Sequence, residues 1–573
     1  MQRTVVTLLV VVTLLGLTPH RAAAGHEIVR LEDVEDGDIA TAGFRLSRAV
    51  RVRIECEGAG HDEGLQAYGW ILDARTRDVA WSLTPASAGV TRKGEFVFAG
   101  DVTLPAGNYL AHYAAFSEYG EQERTLTLFG KKVVKIRVNR DKAKKARNRE
   151  RWGLRLETRS DSDADAVRPD PSHGEDPLLL ARLAPLGDDA LERRALKVKQ
   201  PARIAVYALG EADDDRNTMH DLGWILDWSS RKPVWEMVAS RCEPAGGAKK
   251  NHRIRASVAL APGNYEIFYY SDGSHSANNW NAAPPYDPES WGITVTGATS
   301  ADLKRIEVGG PSPEPVPLVG LLRQTSNAYG SIGFELSRPA RLRVRALGEW
   351  SHGGGLADYG WIEAVKSQTM VWTMDPRRSE HAGGAERNRA AEEIVSFEPG
   401  SYALFYTTDD SHAYKDWNSP PPYVPEDWGI ALYPLDAEKV AVRTFEPKLV
   451  DDDGRDLVRF TRTGDNAEVE QHFHLEKPTR VRIVALGEGL DREMFDYGWI
   501  ETASGEVVWE MTIRNSRHAG GAAKNRLFDG VILLDRGDYV ARFVTDGSHA
   551  WGTWNAERPP APYRWGMRVL PAE

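Results

Sequence analysis

The side chains best equipped for chemistry recur in one pattern. Near the end of the chain stand Asp546, Ser548 and His549, in Thr545-Asp546-Gly547-Ser548-His549, followed by Trp554-Asn555, Pro559-Pro560 and Trp565-Gly566. The pattern occurs twice more. One copy has Asp272, Ser274, His275, Trp280, Asn281 and Trp291; the other has Asp409, Ser411, His412, Trp417, Asn418 and Trp428. From His to the first Trp is five positions in each copy, and from that Trp to the second is eleven. Spacing this rigid marks a tandem array, so the repeat is the unit to be explained.

Three chemistries suit these residue types. An indole face stacks on a sugar ring while carboxylate and amide groups bond its hydroxyls, giving a shallow glycan site. His381 with His412, and His518 with His549, together with Asp358 or Asp496, are zinc ligands in type, although repeat 2 carries Pro244 where the first His should stand. Asp and His together also suit general acid and base work in a hydrolase, which would need Asp496, His518 and His549 to converge. Against catalysis stand the three copies and the lack of a Gly-x-Ser-x-Gly elbow, a His-Glu-x-x-His helix or a phosphate loop. A fourth reading is structural: the loops lock one another and bind nothing.

Alignment on Gly-Trp-Ile places Trp70, Trp224, Trp361 and Trp499 in one column, at intervals of 154, 137 and 138. Four repeats follow, at 38–157, 178–298, 316–434 and 455–571, with an acidic linker at 158–177, a Pro/Gly linker at 299–315 and an acidic linker at 435–454. Proline and like charge predict extended, semi-stiff links and a string of beads with limited play.

Repeat 1 keeps Tyr68-Gly69-Trp70-Ile71, Trp81 and Trp152-Gly153, which therefore serve the fold. It lacks a second set present in the other three: Glu211, Glu349 and Glu488; Asp221, Asp358 and Asp496; Asn251, Asn388 and Asn525 after a Gly-Gly loop; and the Asp, Ser, His and Trp-Asn residues above. Joint loss of so many polar residues predicts that they meet in space. In repeat 1 the segment is replaced by a basic insert, 131–151, with eleven Lys and Arg against two acids. It is expected to be a solvated loop or hairpin.

Within a repeat the apolar period is two, as in Val481, Ile483 and Ala485 alternating with Arg480, Arg482 and Val484. About eight short strands separated by Gly, Asp and Asn turns, with no helical stripe, predict an all-β chain of four tandem antiparallel, jelly-roll-like β-sandwiches. Each repeat resembles the secreted sandwiches of the bacterial pre-peptidase C-terminal and GOLD type, through the turn and strand of Pro105-Ala106-Gly107-Asn108-Tyr109, Pro262-Gly263-Asn264-Tyr265 and Pro399-Gly400-Ser401-Tyr402. That resemblance implies a non-catalytic accessory or adhesion module and assigns no residues.

The net charge of -11 argues against a nucleic-acid binder, whose affinity rests on clustered Lys and Arg. Arg3, the apolar run from Thr4 to Leu17, and Ala22-Ala23-Ala24 predict a signal peptide over 1–24 and a secreted or periplasmic protein without a transmembrane anchor. Of the two cysteines, Cys56 fits a small core position and Cys242 a loop of another repeat, so no disulfide is expected. The sequence thus predicts an exported, monomeric, non-enzymatic binding or scaffold protein, with a polysaccharide or envelope protein as partner and no cofactor. A secreted hydrolase and a ligand-free spacer are the alternatives.

Overall fold

The computed structural model describes residues 25–572 apart from 36, 62–63, 85, 93–94, 117–122, 129–130, 138–151, 171–175, 214–217, 278, 352–354, 368, 436–439 and 448–455. The expected signal peptide and much of the basic insert lie outside the described residues. Just before and within that insert, Glu123–Leu128 and Lys131–Arg137 pair as an antiparallel hairpin.

The chain is all-β and its repeats are antiparallel sandwiches. Repeat 4 displays the plan most simply. One sheet runs in the order Val458–Phe460, Gly566–Pro571, Thr479–Leu490, Asn525–Leu534 and Arg517–His518, with Glu493–Met494 beside Thr479–Leu490. The other runs Glu468–Leu475, Gly537–Val544, Tyr497–Thr502 and Val507–Glu510. The period-two pattern sets the faces: Val481, Ile483 and Ala485 are fully buried, while Arg480 is exposed. Burying a Val or Ile side chain contributes about 1.5–3 kcal/mol, so the alternation fixes both register and core. Repeat 2 is built alike from two sheets, whereas in repeats 1 and 3 the long strand Val50–His61 or Ala340–Trp350 also pairs with the next strand, joining the sheets into one.

The three stretches expected to be extended links are partly structured instead. Val167–Pro169 pairs with Asp38–Leu46, Ile306–Gly309 with Leu191–Val198, and Val442–Phe445 with Tyr329–Leu336, each adding an edge strand to the repeat just completed. Ile306, Val308, Val442 and Phe445 give these segments the strand pattern that their flanking Pro and Asp residues obscured. In repeat 4 the corresponding edge, Glu468–Leu475, pairs only with Gly537–Val544 among the described residues.

Cys56 is buried in the core of repeat 1, Cys242 is half-buried, and both are free. Burial raises each thiol to about 12. Among the described residues no helix is long and apolar enough to cross a membrane.

Candidate functional site

Each polar set predicted to converge does so within its own repeat. In repeat 4 the buried Asp496 carboxylate organises the loop: its Oδ1 accepts the Asp546 N–H at 2.8 Å and its Oδ2 accepts Trp565 Nε1 at 2.8 Å. Asp546 Oδ1 in turn accepts the Ser548 N–H at 2.8 Å, closing an Asx turn. The same bonds recur at 2.8, 2.9 and 2.9 Å from Asp358, Trp428 and Asp409–Ser411, and at 2.8, 2.9 and 2.9 Å from Asp221, Trp291 and Asp272–Ser274.

The turn carries the chain into a left-handed residue, His275, His412 or His549, at φ 56°, 50° and 55°. A non-glycine residue there is held by its surroundings. Each imidazole Nε2 lies 2.6–2.7 Å from the Oδ1 of Asn251, Asn388 or Asn525. The Asn Nδ2 donates to two backbone carbonyls, Gly383 O at 2.8 Å and Pro420 O at 3.0 Å in repeat 3, so its Oδ1 is the acceptor and the His Nε2 carries the proton. Burial, followed by the nearby Lys250, Arg387 or Lys524, holds the three histidines down to about 3, and they are neutral at physiological pH.

The indoles proposed as platforms are wedged in this lock. Trp554 meets His549 at 5.2 Å and Trp565 at 5.0 Å, both edge to face, and Trp280 and Trp417 repeat the arrangement. All three are half-buried, and the Nε1 atoms of Trp280 and Trp417 are enclosed. Asn281 and Asn555 accept from Lys250 and Lys524 at 2.6 Å, and Asn418 accepts from Arg387.

The histidines do not assemble as metal ligands. His381 and His518 each place Nε2 at 3.0 Å from a backbone carbonyl, Ala385 O and Ala522 O, while His412 and His549 are held by Asn388 and Asn525. Asp496, His518 and His549 therefore have separate partners and do not form a hydrolytic trio. What gathers instead is carboxylates: Glu349, Asp358 and Asp409, and Glu488, Asp496 and Asp546, offer oxygens within 4.8 Å of one another. Burial, opposed by Arg387 and helped by Asp409, raises Glu349 to about 8; burial raises Asp496 to about 7, opposed by its hydrogen bonds from Asp546 N–H and Trp565, with the Glu488 and Asp546 charges adding to the rise. Arg387 lies 2.7 Å from Glu349 and Lys524 2.8 Å from Glu488, so each cluster already contains one cation.

Sequence reasoning missed where the loops point. Every loop cluster docks on the Gly-Trp strand of the repeat before it. Tyr68 Oη donates to Pro284 O at 3.2 Å and Trp70 Nε1 to Tyr286 O at 2.7 Å. Trp224 Nε1 donates to Tyr423 O at 3.1 Å, and Tyr423 Oη to Glu236 at 2.8 Å. Tyr359 Oη donates to Arg558 O at 2.7 Å, and Arg564 pairs with Glu363 at 2.6 Å.

The apolar contacts follow the same rule. Trp280, Ala283 and Tyr286 pack into the core of repeat 1, Trp417, Tyr423 and Val424 into that of repeat 2, and Trp551, Ala561 and Tyr563 into that of repeat 3. The Gly-Gly loop is explained by carbonyls of the same segment: a Cβ on Gly247, Gly384 or Gly521 would lie 1.9–2.1 Å from Pro284 O, Pro421 O or Arg558 O, and all three glycines have φ of 64–68°. Repeat 1 is the one without such loops. No known protein family model matches the chain, and no curated protein matches it in sequence.

Proposed function

We propose that this is an exported, non-catalytic scaffold protein whose repeated loop clusters are joints that fix consecutive sandwiches relative to one another. One observation carries the reading: the polar set absent from repeat 1 folds the loops whose carbonyls dock repeats 2, 3 and 4 onto their predecessors, through Trp70 to Tyr286, Trp224 to Tyr423 and Tyr359 to Arg558. Each joint combines aromatic packing, a hydrogen bond from a buried donor and an ion pair, Arg77 with Asp287, Arg193 with Glu426 or Arg564 with Glu363, so relative motion would expose apolar area and orphan polar groups together. Export rests on the charged, apolar and small-residue order of the first 24 residues. A glycan platform requires an open indole face, and Trp280 and Trp417 are instead packed into joints.

The test is the distance distribution between spin labels at Lys197→Cys and Glu398→Cys, two exposed sites in repeats 2 and 3, in a Cys242→Ser background. A narrow distribution that broadens with Tyr423→Ala is expected. A broad distribution in the parent chain would restore the string of beads and end the scaffold reading.

A further inference from the structure

Four Gly-Trp faces exist and three carry a loop. On the covered faces Tyr68, Trp70, Trp224, Tyr359 and Trp361 are all buried to 2% exposure or less. On repeat 4, Tyr497 and Trp499 are half-exposed, and no loop among the described residues covers them. The uncovered face keeps the geometry of the covered ones: Tyr497 and Trp499 lie 5.7 Å apart at 35°, against 5.5 Å and 36° for Tyr359 and Trp361. It also keeps the acid two positions on, since Trp499 Nε1 donates to Glu501 as Trp361 Nε1 does to Glu363.

Two differences say what would sit there. Phe495, 37% exposed, stands four positions before Trp499, where repeat 3 has the buried Ala357, so this face offers more aromatic surface than the covered ones. Arg542 faces Trp499 across the strand pair, where repeat 3 has Phe405. It lies 3.0 Å from Glu501 and pairs with Glu470, and with Glu468 also on the adjoining edge strand the local balance stays acidic.

We propose that the Tyr497–Trp499 face of repeat 4 is a vacant joint that binds a proline-rich, basic loop of another polypeptide, as the equivalent face of repeat 3 holds the loop of repeat 4. This rests on the reading of the loops as joints. Prolines hold such a segment extended at little entropic cost and turn its carbonyls outward, toward the Tyr497 hydroxyl, while its rings lie on Phe495 and Trp499. A basic side chain then meets Glu501, as Arg564 meets Glu363. The three loop clusters of repeats 2, 3 and 4 are already engaged, so among the described residues a second intact copy has no free cluster to offer.

The probe is the synthetic peptide of residues 554–565, Trp-Asn-Ala-Glu-Arg-Pro-Pro-Ala-Pro-Tyr-Arg-Trp, added to the full chain. Hydroxyl-radical footprinting read by mass spectrometry follows Tyr497 and Trp499. Saturable protection of both is expected, absent with a scrambled peptide. Tyr497→Phe should weaken binding about fivefold, the size of one hydrogen bond, and Trp499→Ala should abolish it. No protection up to about 10 mM peptide, an affinity too weak for a specific contact, or equal protection by the scrambled peptide, overturns the proposal. In the peptide-free chain Trp70, Trp224 and Trp361 should be oxidised far more slowly than Trp499; equal rates would instead sink the joints themselves.

Discussion

Trp70 and Tyr286 are 216 residues apart in sequence, and the indole Nε1 of the first donates to the carbonyl of the second at 2.7 Å. Repeat 1 has no loop cluster of its own, yet it keeps the tryptophan that receives one. This offset between loop and receptor makes the array a chain of joints, and it sets what each substitution should do.

Trp70→Phe retains a ring in the core of repeat 1 but leaves the Tyr286 carbonyl without its donor. An orphaned buried carbonyl costs about 1–3 kcal/mol. Calorimetry should resolve separate unfolding of repeats 1 and 2 in the variant where the parent melts them together. Unchanged coupling would mean that the hydrogen bond is incidental.

Asn388 serves three partners: His412 Nε2 at 2.6 Å, Gly383 O at 2.8 Å and Pro420 O at 3.0 Å. Asn388→Ala should destabilise repeat 3 by about 3 kcal/mol, in the range for several buried groups left unpaired. Asn388→Asp should be no better, because a carboxylate cannot donate to the two carbonyls. Hydrogen exchange over residues 412–428 reads both.

Glu363 and Arg564 form an ion pair across the joint of repeats 3 and 4, with side chains 4% and 17% exposed. Removing either partner alone should cost about 3–5 kcal/mol, since it leaves a buried charge unpaired. The pair Glu363→Gln with Arg564→Met should cost clearly less than the sum of the two. Additive costs in a denaturant-unfolding double-mutant cycle would show that the pair contributes nothing to the joint.

The carboxylate clusters set a pH dependence of definite sign. Glu349 is raised to about 8 and Asp496 to about 7, so above their ordinary values the folded state holds protons that the unfolded chain releases. Their stabilisation is present in full at low pH and is lost as pH rises through those values. The three histidines, depressed to about 3, act oppositely and lose their contribution as pH falls below about 6.5. From about pH 7.5 to 8 the histidines are neutral in the unfolded chain as well and the raised Glu349 outweighs them, so its contribution should fall with rising pH, by at most about 1.4 kcal/mol per unit. Glu349→Gln should flatten the slope in repeat 3, which thermal melts across that window would detect; an unchanged slope would remove Glu349 from the account.

The sequence by itself determined the all-β class and the repeats. Period-two stretches such as Val481 to Ala485 state locally which face is buried, and residues kept in repeat 1, such as Trp70 and Trp152, marked the common core. It also determined that Glu488, Asp496, Asn525, Asp546 and His549 would meet, because repeat 1 lacks the whole set at once. The partners of the loops were decided only in the tertiary structure. A turn carries no period, and the carbonyls of Pro284, Tyr423 and Arg558 belong to every residue type alike, so nothing in their side chains names the donor they accept from. The histidines suit zinc by type alone: the imidazole was visible in the sequence, but the commitment of His275, His412 and His549 to Asn251, Asn388 and Asn525 depends on loops from distant strands. Trp280 and Trp417, which suggested open platforms, are half-buried and pack on the preceding sandwich, a surface no local stretch of sequence reveals.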